Sequence, residues 1–221
     1  MIHPSPNPSS TALRGVLPGM LLLAAFLVAG CLPLSLQPWY ASADPRQVPR
    51  LLGNYRDTPD HETLWSFRAG KEPGTCLLEV REENTNNATM KAVLFEVEGK
   101  SFLDLTPDED ALGSVHRVGD LAVLALVSGH LLARTEWVGE KFQLNFLDHD
   151  WVKAQVAEPA GAHHGLRHEI VEGKRLLLTA STPDLQKFLS AAVRESAAWG
   201  KPIILERVSD PQPPIRTQGK P

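Results

Sequence analysis

Hydrophobic and polar side chains alternate through much of the middle of the chain, which is typical of β-strands with one buried face. Three segments show this most clearly: residues 75–82, 89–98 and 141–147. In the last of these, Phe142 and Phe146 fall on the side opposite Lys141 and Asn145. Turn-forming residues separate the segments, so the pattern predicts a meander of short antiparallel strands.

Two helices are expected among the later strands. Asp148 can cap a short helix over residues 148–157. Thr182-Pro183-Asp184 is a typical helix start, and apolar residues recur after it at helical spacing, at positions 185, 188, 189, 192 and 193. About eight or nine strands with these helices predict a mainly β (α+β) fold, either an antiparallel meander or a small barrel, with the amphipathic C-terminal helix packed against one face.

An apolar run near the N-terminus has a different character. Residues 17–30 are 14 positions without a charge, and Arg14 precedes them. A membrane-spanning helix needs about 20 apolar residues, so this length is typical of the core of a secretory signal peptide. We therefore predict a signal peptide over residues 1–30. The alternative is an uncleaved anchor helix that continues to Leu36.

The run ends in Leu27-Val28-Ala29-Gly30-Cys31, which resembles the lipobox of bacterial lipoproteins. The resemblance implies that a diacylglycerol is attached to the sulfur of Cys31, that the chain is cut before this residue, and that the new amino group is acylated. Several acyl chains give stable membrane anchoring. Membrane lipid is then a partner through Cys31, in the cell envelope. Leu32, where an Asp often marks inner-membrane retention, favours the outer membrane, facing the periplasm.

Proline-rich segments flank the central domain. Residues 31–49 have no hydrophobic period and predict an extended, lipidated tether that spaces the domain from the membrane. In this tether Trp39 and Tyr40 have two readings, contact with the membrane interface or contact with the domain. Residues 209–221 predict a disordered tail. The β-rich globular domain is expected over residues 50–208.

Net charge and cysteine content limit the classes of partner and the covalent bonds that we expect. The net charge is −4, and a mildly acidic chain without a Lys/Arg cluster does not favour nucleic acid. Cys31 and Cys76 are the two cysteines. If Cys31 is acylated, Cys76 is an unpaired core residue; a Cys31–Cys76 disulfide is the alternative.

Two weaker resemblances concern the domain itself. Leu51-Leu52-Gly53-Asn54-Tyr55 is similar to the Gly-x-Trp opening of lipocalin-like barrels, with Tyr55 in place of the Trp. The chain also resembles small envelope lipoproteins without an assigned activity, through residues 35–40 after the cysteine, 102–105 in mid-domain and 148–152 at a helix start. These resemblances imply a barrel, and a barrel does not fix a function.

No pattern of catalytic or metal-binding residues is evident. The candidates for metal ligands are four histidines near two aspartates: His149, His163, His164, His168, Asp148 and Asp150. Their spacing matches no zinc motif, so they are interpreted as solvated loop residues, and neither a metal nor a cofactor is expected. No Gly-x-Ser-x-Gly elbow occurs, and Ser128-Gly129-His130 is interpreted as a turn before a strand. No catalytic residue is assigned, and enzymatic activity is not expected.

Three functions are considered, in decreasing order of agreement with these features. The first is a membrane-tethered barrel that binds a small apolar ligand or an envelope protein, with a cavity lined by Phe95, Phe142 and Phe146. The second is a structural or interaction lipoprotein whose barrel is filled by side chains. The third, an envelope hydrolase, needs a nucleophile–base pair that the sequence does not display.

Overall fold

The computed structural model describes eight stretches of the chain: residues 32–44, 48–58, 63–81, 88–108, 129–159, 161–163, 165–171 and 175–208. They all belong to one compact unit, residues 31–221. The predicted signal peptide, Cys31, His164, Ser128 and the C-terminal tail lie outside the described residues. Among those described, no helix has the length and apolarity that a membrane span requires.

The described elements are mostly strands. The strands are β1 (Leu34–Ser35), β2 (Gly53–Thr58), β3 (Leu64–Ala69), β4 (Thr75–Arg81), β5 (Ala88–Val97), β6 (Lys100–Pro107), β7 (His130–Val138), β8 (Lys141–Phe146), β9 (His168–Val171), β10 (Arg175–Leu178) and β11 (Ile203–Val208). The helices are α1 (Val48–Leu51), α2 (His149–Val156) and α3 (Thr182–Ala192), and a 3-10 turn covers Ser196–Ala198. As predicted, Asp148 caps α2 and accepts the Trp151 N–H at 2.8 Å.

Most of the strands form a closed barrel. Each strand from β2 to β8 pairs antiparallel with the next, β8 pairs with β11, and β11 pairs with β2. These are eight of the eleven strands in the described part of the chain. The predicted mainly β fold with a small antiparallel barrel is therefore confirmed. Short connections between sequence neighbours account for most of the pairing, as the meander pattern predicts.

The barrel interior is filled by side chains. Tyr55, Phe67 and Phe142 meet there, with ring centroids 5.8 to 6.3 Å apart, and none of the three is more than 2% exposed. The Trp137 ring lies 4.9 Å from that of Phe142. Aromatic pairs at these distances are attractive beyond the area they bury, so the interior is a packed core.

A second core lies on the outer wall of the barrel. Phe95, Phe102 and Leu132 face outward and pack against α2 and α3. The predicted apolar stripe of α3 faces this core, with Leu185 and Phe188 at 0% and 1% exposure. The wall between the two cores is therefore apolar on both faces.

A small side sheet extends the barrel beyond β7. β1 pairs antiparallel with the start of β7 and parallel with β10, and β10 pairs antiparallel with β9. Leu34 and Leu36 belong to this layer, since Leu36 N–H donates to Leu178 O at 2.9 Å. The alternative prediction of an anchor helix that continues to Leu36 is therefore wrong, because Leu34 and Ser35 form a strand.

The segment predicted as a spacer is part of the domain. Residues 32–44, here called the arm, run along the barrel wall, and Trp39 is fully buried. The Thr182 hydroxyl donates to Pro38 O at 2.8 Å, and the Gln186 amide donates to Trp39 O. The Asp44 N–H donates to Leu94 O at 2.7 Å. The spacer prediction is wrong for the arm, because these long-range contacts are invisible to local composition.

Candidate functional site

A cleft of about 640 Å³ opens on the outer wall of the barrel, over β4, β5, β6 and the start of β7. Its floor follows from the register of the strands. Val93 lies opposite Asp104, and Lys91 lies opposite Thr106, so their outward side chains form two rows. Tyr40 of the arm lines the cleft as well.

The cleft contains a carboxylate–imidazole pair in which the carboxylate is buried and the imidazole is partly buried. The Oδ1 atom of Asp104 lies 2.7 Å from Nδ1 of His130, with the Asp104 side chain 1% exposed and that of His130 16% exposed. The other carboxylate oxygen, Oδ2, accepts the Trp39 N–H at 2.8 Å. Both oxygens of Asp104 therefore have partners, one in the cleft and one in the arm.

This pair can orient the imidazole for proton transfer. When Asp104 is ionised, Nδ1–H of His130 donates to it, and Nε2 is left as the proton acceptor. A carboxylate that holds a histidine in this tautomer is the orienting half of a nucleophile–base–acid arrangement. Asp104 has a structural role at the same time, because it ties the arm to the barrel.

Cys76 and Tyr40 also line the cleft, and both are poor nucleophiles. Burial raises the pKa of the Cys76 thiol to about 11, and the residue is only 1% exposed. Burial, followed by the charge of Asp104, raises the pKa of Tyr40 above its usual value. Both groups are therefore neutral at physiological pH. Cys76 is a free, buried thiol, as expected for an unpaired core residue.

The predicted ligand-binding phenylalanines do not share one site. Phe142 and Phe146 belong to the core inside the barrel, where Phe142 is fully packed. Phe95 lies on the outer wall, with its ring 6.1 Å from that of Tyr40 and 5.5 Å from that of Phe102. The prediction that the three line one cavity is wrong, because Phe95 lies on the opposite face of the wall.

The described histidines are separated. His149 Nδ1 lies 3.1 Å from Asp150 Oδ1 at the start of α2. The ring of His163 contacts Phe188 edge-on at 5.0 Å, and His168 Nδ1 lies 2.8 Å from Leu166 O. Within the described stretches, no group of three or more His, Cys, Asp or Glu side chains is placed to hold a metal ion.

Asp104 and His130 are not among the predicted site residues. A signal for Asp104 was present, because it shares a face of its strand with Phe102, which suggests burial. His130 follows a glycine at a strand start, which gives no indication of a carboxylate partner 26 residues away. No known protein family, curated protein or solved structure matches the chain.

Proposed function

We propose that this chain is a lipoprotein of the bacterial cell envelope, anchored through acyl chains on Cys31, whose filled barrel is a rigid interaction module. The proposal of a filled interaction module rests on the packing of Tyr55, Phe67 and Phe142 across the barrel interior. A small barrel filled in this way leaves no room for a ligand inside. What the domain binds, it binds on its outer surface.

The anchor rests on the lipobox-like sequence Leu27-Val28-Ala29-Gly30-Cys31. The test is incorporation of radiolabelled palmitate, with mass spectrometry of the N-terminal peptide from the membrane fraction. We expect label in the wild type and in Cys76→Ala, which is the matched control because it removes the other cysteine, and none in Cys31→Ala. An N-terminus before residue 31, or a bare thiol at Cys31, would contradict the anchor.

The filled interior has its own test. A fluorescent fatty acid is titrated into the purified protein, and displacement by oleate reports a specific site. We expect no saturable binding to the wild type, because Phe142 and its neighbours occupy the space. Saturable binding that Phe142→Glu abolishes without unfolding the protein would overturn the filled-barrel proposal in favour of an apolar carrier.

A second function, ester hydrolysis in the outer cleft, is favoured by the contact between Asp104 and His130 at 2.7 Å. In this reaction Nε2 of His130 takes a proton from a water molecule while the oxygen of that water attacks the ester carbonyl carbon. The carbon–oxygen bond to the leaving alcohol then breaks, and that alcohol recovers the proton. General-base catalysis of this kind contributes a factor of about 10² to 10⁴.

The probe for this second function is p-nitrophenyl acetate. We expect His130→Asn to lower the turnover by roughly 10² or more. His149→Asn is the matched control, because it removes a histidine that also contacts an aspartate but lies outside the cleft. Equal rates for the wild type and His130→Asn would exclude hydrolysis by this pair.

A further inference from the structure

A step in the edge of the barrel forms a second cleft, with a volume of about 490 Å³. The register pairs Ser101 of β6 with Thr135 of β7, whereas β7 continues to Val138 and pairs there with β8. The last residues of β7 therefore extend beyond β6, and the cleft lies in this step, between residues 99–101 and residues 134–137. Its volume is within the range of small-molecule sites. We call it the basic cleft.

Three cationic side chains line the basic cleft. Lys100 comes from β6, Arg134 from β7 and Arg50 from α1. Glu136 is the carboxylate of the lining, so three positive charges and one negative charge give a formal net charge of +2. The chain as a whole has a net charge of −4. The basic cleft is therefore a local site for an anion on an acidic protein.

Aromatic rings hold the two guanidinium groups of the basic cleft. The Arg50 guanidinium carbon lies 4.3 Å from the centre of the Trp137 ring, and that of Arg134 lies 5.1 Å from the centre of the Trp199 ring. A stacked guanidinium keeps the N–H groups at its edge as donors and is already ordered before a ligand binds. In the described part of the chain, none of the three cations has a carboxylate at ion-pair distance. Their charges are therefore available to a ligand.

We propose that the basic cleft binds a phosphomonoester, a phosphate group with one organic substituent. Such a group carries about −1.5 to −2 charges at pH 7, which matches the net charge of the lining, whereas a carboxylate would leave part of that charge uncompensated. The planar N–H edge of an arginine fits phosphate oxygens in pairs, and Ser101 brings a hydroxyl into the lining. This proposal depends neither on the acylation of Cys31 nor on hydrolysis in the wall cleft of Asp104 and His130.

The test is isothermal titration calorimetry of the purified full-length protein at pH 7. The probes are glycerol 3-phosphate and dihexanoyl phosphatidic acid, which both carry a phosphomonoester, with acetate as the singly charged comparison. Arg50→Gln and Arg134→Gln each remove one guanidinium from the basic cleft. Arg175→Gln is the matched control, because Arg175 is exposed and lies outside this cleft. Circular dichroism verifies that each variant is folded.

We expect saturable binding of a phosphomonoester, weakened by roughly 10-fold or more in Arg50→Gln and in Arg134→Gln and unchanged in Arg175→Gln. Glu136→Gln should tighten binding several-fold, because it removes the carboxylate of the lining, and a merely structural role would not produce this gain. Tighter binding of dihexanoyl phosphatidic acid would support the site with a lipid headgroup as the ligand, and equal binding of both probes would support it with a soluble phosphomonoester.

Three results would overturn the proposal. The first is the absence of saturable binding of either phosphomonoester. The second is an affinity for acetate equal to that for the phosphomonoesters, because the site would then not select the second negative charge. The third is an equal affinity in Arg134→Gln and Arg175→Gln, because binding would then take place outside the basic cleft.

Discussion

Replacement of Trp39 by alanine tests whether the arm is part of the folding unit. Trp39 is fully buried, and its ring contacts that of Phe188 on α3 at 6.4 Å between centroids. Its backbone is held by Asp104 and Gln186. These backbone bonds survive the substitution, so Trp39→Ala measures the loss of the side chain alone.

The magnitude follows from the area that the side chain buries. A tryptophan buries roughly 150–250 Å², which at about 25 cal/mol per Å² corresponds to about 4–6 kcal/mol as an upper bound. Measured Trp→Ala changes in cores cost about 3–5 kcal/mol. Among the described residues the indole N–H of Trp39 meets no acceptor, and an unsatisfied buried donor costs about 1–3 kcal/mol. Trp39→Phe removes that donor, so we expect it to cost less than Trp39→Ala by about 2 kcal/mol or more.

The assay is urea unfolding of the purified protein, followed by far-UV circular dichroism. A loss of about 4 kcal/mol lowers the urea midpoint by roughly 1.3–4 M at the m-values usual for small proteins. Gln37→Ala is the control, because Gln37 is an exposed residue of the same arm and surface changes stay within about 0.5 kcal/mol. A midpoint for Trp39→Ala equal to that of Gln37→Ala would refute the docked arm and restore the spacer.

Three further predictions use the same unfolding assay or a simple thiol probe. Gly74→Ala should cost about 2–4 kcal/mol, because the residue has a φ of +83° and its new methyl group would meet the arm. Gly139→Ala, with a φ of +62° and open space around it, should cost only about 1 kcal/mol, and equal costs would contradict the contact with the arm. Iodoacetamide at pH 8 should modify Cys76 only in urea, because burial raises the thiol pKa to about 11; rapid labelling of the folded protein would contradict this. The hydrogen bond from Arg81 lowers the pKa of Glu79 below its usual 4.5, so the pair stabilises the fold above that pH and this contribution is lost as the pH falls through the lowered pKa. Glu79→Gln should cost about 0.2–1 kcal/mol at pH 7 and progressively less as the pH falls through the lowered pKa, and a cost that does not change with pH would argue against the pair.

The barrel was predictable because the sequence patterns that indicate it lie within short segments of the chain. Alternation with a period of two specifies strands, and short turns specify antiparallel neighbours. The start of α3 near Thr182 and its apolar stripe were predictable for the same reason, since a proline at a helix start and a helical period are read within about a dozen residues. The Thr182 hydroxyl was expected to cap the helix, which is wrong, because the N-cap is Ser181 and the Thr182 hydroxyl donates to Pro38 O in the arm. The insertion of β11 between β8 and β2 depends on contacts about 60 and 150 residues apart in the chain, which no local pattern contains.

The inward direction of β5 could not be read from its pattern. Residues 92–95 are buried without interruption, so both faces of the strand are apolar. A period of two separates the faces but does not say which one lines the barrel, and a strand buried on both faces loses even that contrast. Ala92 and Leu94 face the interior, whereas Val93 and Phe95 face outward. The assignment of Phe95 to a cavity therefore failed for a physical reason, the presence of a second core.

The two cores also constrain where function can reside. Aromatic residues fill the barrel, and Phe95 and Phe102 pack on its outer wall beneath Trp39 of the arm and α3. Two clefts are found on the described surface, the wall cleft and a cleft lined by Arg50, Lys100 and Arg134. Of these two, the wall cleft contains the carboxylate–imidazole pair of Asp104 and His130. The arm is bonded to the same carboxylate, because the Trp39 N–H donates to Asp104. Asp104 therefore holds the arm on the barrel and orients the imidazole in the cleft, so the docking of the arm and the chemistry of the cleft depend on one side chain.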